Sequence, residues 1–143
     1  FTVDEYMIYE AKLLGASAVL LICSILNEEE LKHYMAVCEE LGLSALVEAH
    51  DAEEVEMALR AGARIIGVNN RNLKDFTVNT DNSKKLREMI PPEVIFVSES
   101  GVKGSEDVAA LREIGADAVL VGETLMRAED KTKMLAKLRG GQL

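Results

Sequence analysis

Ile114-Gly115-Ala116-Asp117-Ala118-Val119-Leu120 is one of three near-copies of a single phrase in this sequence. The others are Leu14-Gly15-Ala16-Ser17-Ala18-Val19-Leu20 and Ala61-Gly62-Ala63-Arg64-Ile65-Ile66-Gly67, and Leu41-Gly42-Leu43-Ser44-Ala45-Leu46-Val47 is a looser fourth. In each, a Gly stands where a helix ends and needs a positive φ, and a short apolar run follows. The phrase is a turn from helix into strand, repeated along the chain.

Helical patterns precede those glycines. Asp4 can cap residues 5–14, with Met7, Ile8, Ala11 and Leu14 on one face. Asn27 and Glu30 form a capping-box start for 28–41, with Leu31, Tyr34, Met35, Cys38 and Leu41 inward. Asp51 and Glu54 do the same for 52–61, with Val55, Ala58 and Leu59 inward. Ser105 can cap 106–114, where Val108, Leu111 and Arg112 make a weaker stripe. Short helices are predicted over 81–89, 123–127 and 130–139.

The apolar runs predict strands over 18–23, 45–48, 64–68, 94–98 and 118–121. The fourth of these follows the Pro91-Pro92 break instead of a Gly. The runs are mostly continuous, not alternating, which predicts a parallel sheet buried on both faces. Helix and strand alternate throughout, with no linker or low-complexity stretch, so one α/β domain is expected. Five strands fit a flavodoxin-like doubly wound sheet on count alone, whereas a (β/α)8 barrel has eight strands in about 250 residues.

Composition narrows the function classes. With 143 residues, 48% hydrophobic and 29% charged, the chain has the profile of a globular domain with a real core. No apolar run approaches the roughly 20 residues that span a bilayer, so no membrane partner is expected. The formal charge of −9 argues against nucleic acid. It leaves room for an anionic substrate, which backbone N–H groups can hold. Cys23 and Cys38 have no metal or redox spacing and read as buried thiols in a reducing cytoplasm. His33 and His50 stand far apart, so no zinc site is expected. The six methionines are scattered at helical spacing and read as core filler.

In parallel α/β folds the site lies at the carboxyl ends of the strands. Those ends read Ser24, then Glu48, then Asn69-Asn70-Arg71, then Glu99-Ser100-Gly101, then Gly122-Glu123-Thr124. Glu48 and Glu99 are carboxylates on neighbouring positions of the active face, where partial burial can tune them for proton transfer. Structural hydrogen bonding is the competing reading for both. Ser100-Gly101 and Gly122-Glu123 end adjacent strands, as in the phosphate site that recurs in the last two loops of barrels. Two tight turns would give the same pattern. Arg71 can hold a carboxylate or phosphate bidentately, or pair with Asp75 or a helix end. Lys103 reads as solvated.

Four stretches together carry a resemblance. Ala45-Leu46-Val47-Glu48-Ala49-His50, Ile66-Gly67-Val68-Asn69-Asn70-Arg71-Asn72-Leu73, Val97-Ser98-Glu99-Ser100-Gly101-Val102 and Val121-Gly122-Glu123-Thr124-Leu125-Met126-Arg127 resemble indole-3-glycerol-phosphate synthase, in that family's order and spacing. Phe1 resembles the last residue of the Lys-Asp-Phe signature that ends the barrel's third strand. The resemblance covers the whole chain. It implies the α/β (β/α)8 TIM-barrel class, here a partial barrel of about five parallel strands with flanking helices. Residues 1–143 are then a single partial barrel domain lacking the first two strands and most of the third.

The implied reaction is the decarboxylating ring closure and dehydration of 1-(2-carboxyphenylamino)-1-deoxyribulose 5-phosphate to indole-3-glycerol phosphate. It belongs to tryptophan biosynthesis in the cytoplasm and uses no cofactor or metal. By position, the resemblance gives Glu48, Asn69 and Glu99 catalytic roles: Glu48 in proton transfer, Asn69 in orienting the substrate, Glu99 as the next carboxylate. Arg71 is implied near the anthranilate carboxylate, with Ser100 as a polar contact. Gly101, Gly122 and Glu123 are implied in the phosphate loops. Glu123 stands where some relatives carry Ser, and a backbone N–H contact survives that change.

The family's principal general acid, the Lys of Lys-Asp-Phe, would sit two places before Phe1. Ring closure needs a proton on the ketone as the aromatic carbon attacks it. The chain as given is therefore expected to have negligible synthase activity. Two further readings stay open: a non-catalytic module that holds phosphate or a sugar phosphate, and another phosphate-binding barrel from histidine or thiamine biosynthesis. Glu48 with Asn69-Asn70-Arg71 favours the synthase over the last. Strands 18–23 and 118–121 would be apolar edges, so a homo-oligomer that covers them is expected.

Overall fold

The computed structural model describes residues 1–71 and 81–140. Five strands, β1 (Ala18–Ile22), β2 (Ser44–Ala49), β3 (Ile65–Asn69), β4 (Ile95–Glu99) and β5 (Ala118–Leu120), alternate with helices. All neighbours pair in parallel, and the sheet order is β1-β2-β3-β4-β5. A flavodoxin-like sheet would begin 2-1-3. The sequential order is that of an opened barrel wall, and it removes the doubly wound alternative.

The helices are α1 (Glu5–Leu13), α2 (Glu28–Glu40), α3 (Ala52–Ala61), α4 (Asp81–Arg87), α5 (Ser105–Glu113), α6 (Glu123–Arg127) and α7 (Lys131–Leu138), with a 3-10 turn at Cys23–Ile25. The glycines of the repeated phrase adopt the expected positive φ: 88° at Gly15, 64° at Gly42, 87° at Gly62 and 82° at Gly115. Asn27 and Glu30 make a full capping box on α2. Asp51 caps α3 by accepting from the Glu54 N–H at 2.9 Å. The Glu54 carboxylate, however, accepts from the His50 N–H, one residue before the cap. At α5 the cap is Gly104, not Ser105. The Asp107 side chain accepts from the N–H groups of Lys103 and Gly104, and the helix dipole favours a carboxylate in the first turn.

One face of the sheet packs under the helices. Leu21, Val47, Ile66, Val68 and Phe96 are fully buried there with Ile8, Leu31, Cys38 and Val55, each large side chain stabilising by about 1.5–3 kcal/mol. The opposite face buries Ile22 and Val97, but Leu20, Leu46 and Ile65 are only partly buried and Ile95 and Leu120 are exposed. Continuous apolar runs predicted burial on both faces. The sheet does not close on itself, and Ile95 and Leu120 remain 46% exposed. Leu14, expected inward, is likewise exposed, because it lies past the last turn of α1. Val37 is buried on α2, beside the predicted Leu31, Tyr34 and Cys38. Both cysteines are buried. No helix among the described residues is long and apolar enough to cross a membrane.

Candidate active site

The period of two in a strand puts Glu48, Gly67, Asn69 and Glu99 on the concave face of the sheet, and the parallel register pairs Glu48 with Gly67 and Asn69 with Glu99. Three polar side chains meet where the strands end. Asn69 Nδ2 donates to Glu48 Oε1 at 3.2 Å, and both residues are buried. The carboxyl of Glu99 lies across Gly67, occupying the space a Cβ there would need. Burial, and then the hydrogen bond and charge of Glu48, push the Glu99 carboxyl up to about 8. Glu99 therefore holds its proton more tightly than an ordinary carboxyl, and its Oε1 has no hydrogen-bond partner. Two adjacent carboxyls that cannot both ionise freely supply a donor and an acceptor within one site.

A second group sits at the ends of β4 and β5. Arg71, Ser100, Gly101, Val102, Lys103, Gly122, Glu123, Thr124 and Arg127 line most of a cleft of about 660 Å³. Ser100 and Gly101 both take positive φ, 65° and 85°. The chain turns sharply there, and a turn can present successive backbone N–H groups to an anion. Thr124 Oγ1 donates to the Val102 carbonyl at 2.5 Å and ties the two loops together. Gly122 caps α6, and a Cβ there would meet nothing.

Arg71 reaches across to this cleft. Its Nη2 donates to Glu123 Oε2 at 2.7 Å, while Arg127 Nε donates to Glu123 Oε1 at 3.0 Å. The two guanidinium groups, Arg71 first, hold the Glu123 carboxyl below its usual range. Asp75, the other partner expected for Arg71, lies outside the described residues. Every predicted site residue thus falls on one end of the sheet. Glu48, Asn69 and Glu99 form one cluster, and Arg71, Ser100, Gly101, Gly122 and Glu123 line the other.

The model of one protein family, indole-3-glycerol phosphate synthase, matches residues 1–138. The chain belongs to the indole-3-glycerol phosphate synthase family. It is 58% identical over 140 residues to the indole-3-glycerol phosphate synthase of Leuconostoc mesenteroides subsp. mesenteroides, covering 98% of this chain and 53% of that one. The synthase of Ruminiclostridium cellulolyticum is 59% identical over 140 residues, covering 98% and 54%. The chain spans about half the length of the curated relatives it matches. Among solved structures, one described as "Native KDPGal structure" superposes with a TM-score of 0.73 at 16% identity, covering 97% of this chain and 64% of that one. A mandelate oxidase superposes at 0.72 with 19% identity, covering 98% and 52%. At such identities the likeness is one of fold.

Within this synthase-family frame, sequence reasoning passed over two polar groups. Asn70 is buried, and its amide bonds Ser98 Oγ (3.0 Å), the Ser100 carbonyl (3.2 Å) and both N–H and Oγ of Ser83 (3.1 and 2.9 Å). It fastens the start of α4 to the end of β4 directly beneath the strained Ser100. His50, two residues beyond Glu48, stands between two carboxylates. The sequence signal for His50 was its strand period, which puts it on the Glu48 side. The strand-end reading placed Asn70 beside Asn69 but gave it no role, because its partners come from 13, 28 and 30 residues away.

Proposed function

We propose that this chain carries the proton-transfer cluster and the phosphate cleft of an indole-3-glycerol-phosphate synthase. The substrate would be 1-(2-carboxyphenylamino)-1-deoxyribulose 5-phosphate. The observation that supports this most is the buried cluster of Glu48, Asn69 and Glu99, the last raised well above the usual carboxyl range, on the same sheet end as the cleft bounded by Ser100, Gly101, Gly122 and Glu123. In the reaction the aromatic carbon that bears the carboxylate attacks the ketone carbon, whose oxygen takes up a proton. Carbon dioxide leaves and the ring becomes aromatic again. The new hydroxyl then departs as water after protonation, while the neighbouring carbon gives up a proton to a base. The second stage needs one acid and one base close together, and the Glu48 and Glu99 pair is built as such. Asn69 would orient the substrate against Glu48. Arg71 and Ser100 would contact its polar groups, and the cleft would take its phosphate.

The first stage needs a strong acid at the ketone oxygen. The resemblance places that Lys before Phe1, so the 143 residues alone are expected to turn over negligibly. The test is a fluorescence assay of indole-product formation on the chain alone and on the chain joined to the preceding half of the Leuconostoc relative. The joined protein should be active, and Glu48→Gln or Glu99→Gln should cost about 10²- to 10⁴-fold in kcat. A folded joined protein with no turnover, or one indifferent to both substitutions, would refute the proposal.

A further inference from the structure

The His50 imidazole lies between two acidic side chains from different elements. Its Nδ1 is 3.1 Å from Glu54 Oε2 on α3, and the same oxygen accepts from the His50 backbone N–H at 2.7 Å. Its Nε2 is 3.2 Å from Glu48 Oε1 on β2. The side chains are 17% exposed for His50 and Glu54 and 6% for Glu48. We propose that His50 is a positioning residue for the proton chemistry, holding the Glu48 carboxylate in place by bridging it to Glu54 at the first turn of α3. This inference rests on the reading of Glu48 given above.

An ionised carboxylate only accepts hydrogen bonds, so the oxygen of Glu54 that takes the His50 N–H leaves Nδ1 as a donor too. With Nδ1 protonated, a neutral ring would turn the Nε2 lone pair toward a Glu48 oxygen, which is repulsive. A ring protonated on both nitrogens instead attracts the Glu48 carboxylate across that gap as an ion pair. Nε2 is buried and makes no hydrogen bond, and Glu48 Oε1 lies within ion-pair distance of it. The groups around the ring reinforce this. Glu54, Glu48 and Asp51 face it, and Glu54 first and foremost raises its titration above the ordinary value. Cys23 on the 3-10 turn is a neutral thiol, pushed up to about 12 by burial and by those same carboxylates. Asn82 on α4 donates to the His50 and Asn69 carbonyls, fixing both strand ends. Among the described residues no Lys or Arg pairs with Glu48 or Glu54, so the imidazole, when protonated, is the cation that faces both.

Two amide substitutions separate the roles of the two ring nitrogens. In His50→Gln the amide nitrogen can take the place of Nε2 and keep a donor on Glu48. In His50→Asn it can take the place of Nδ1 and keep only the contact to Glu54. In the joined protein, His50→Asn should lower kcat by about 10- to 100-fold with little change in KM, as expected of a misplaced reacting group. The acid limb of its pH–rate profile should also move upward. His50→Gln should recover most of that loss. The reverse order, Gln impaired and Asn intact, would make His50 a helix-capping residue and overturn the proposal.

A second measurement does not depend on turnover. In the 143-residue chain, the His50 ring followed by NMR should titrate above its ordinary 6.5. Glu48→Gln and Glu54→Gln should each bring it down. A ring that responds to Glu54→Gln alone would equally overturn the bridge. If the joined protein is inactive, the assignment of function fails, and the NMR titration still decides whether the bridge exists.

Discussion

Glu99 is the residue whose protonation the fold alters most visibly, and this has a consequence for stability. Its carboxyl is raised from 4.5 to about 8 by burial and by Glu48. The folded state thus binds this proton more tightly than the unfolded chain does. The stabilisation is fully present below about pH 4.5 and is lost as pH rises through about 8. His50, raised from 6.5, adds a loss of the same sign as pH climbs through its folded value. The melting temperature should therefore fall between about pH 5 and about pH 9, and Glu99→Gln should flatten that fall. A wild-type melting temperature that climbs over this range would contradict the assignment. Asn70 makes a different case. Asn70→Ala leaves Ser83 and Ser98 short of partners in a buried setting and should cost about 2–3 kcal/mol in denaturant unfolding. Glu48, Asn69 and Glu99 were legible from the strand-end rule alone. The same rule placed Asn70 but not its role, because a buried amide shows its meaning only when distant hydroxyls are brought to it.

At the scale of elements, the arrangement of the cluster depends on β3 being flat at one point. Gly67 sits in the middle of the strand with ordinary backbone, so flexibility is not its purpose. A Cβ there would run into the end of the Glu99 side chain and press on Leu46 Cδ1 at 3.2 Å. The end of a flexible side chain yields more readily than backbone does. Gly67→Ala should therefore leave the chain folded, with a melting temperature within a few degrees of wild type, while displacing the Glu99 carboxyl. In the joined protein it should lower kcat by about 10²-fold, since small misplacements of a reacting group are costly. Unchanged turnover would show that Glu99 acts from some other position. Helix starts and ends were the most readable elements of the sequence, because Asn27, Asp51 and the four turn glycines act through local geometry. The cap at Gly104 was misread because the Asp107 carboxylate, three residues on, takes the N–H groups of Lys103 and Gly104 and fixes the helix start one residue earlier.

The whole molecule is a wall with one covered face. Sequence predicted strands buried on both sides, which is correct for the residue types and incomplete for the assembly. Continuous apolar runs record what a strand needs, not what this chain supplies. The concave face leaves Ile95 and Leu120 each 46% exposed, and Leu120 lies on β5, an edge strand with one hydrogen-bonding side unpaired. β1 forms the other edge. Apolar side chains next to free backbone N–H and C=O groups favour pairing with another chain. The 143 residues in isolation should self-associate, running as a dimer or larger species by light scattering at micromolar concentration. Placing charges on that face with Ile95→Lys and Leu120→Lys should shift the population toward monomer, because a lysine on an edge or an exposed apolar face opposes docking. Joining the chain to the preceding half of a relative should have the same effect without any substitution, by covering the face that the isolated chain leaves open. A monodisperse monomer of the unaltered 143 residues would mean that the exposed face is tolerated in water and that the edges need no partner.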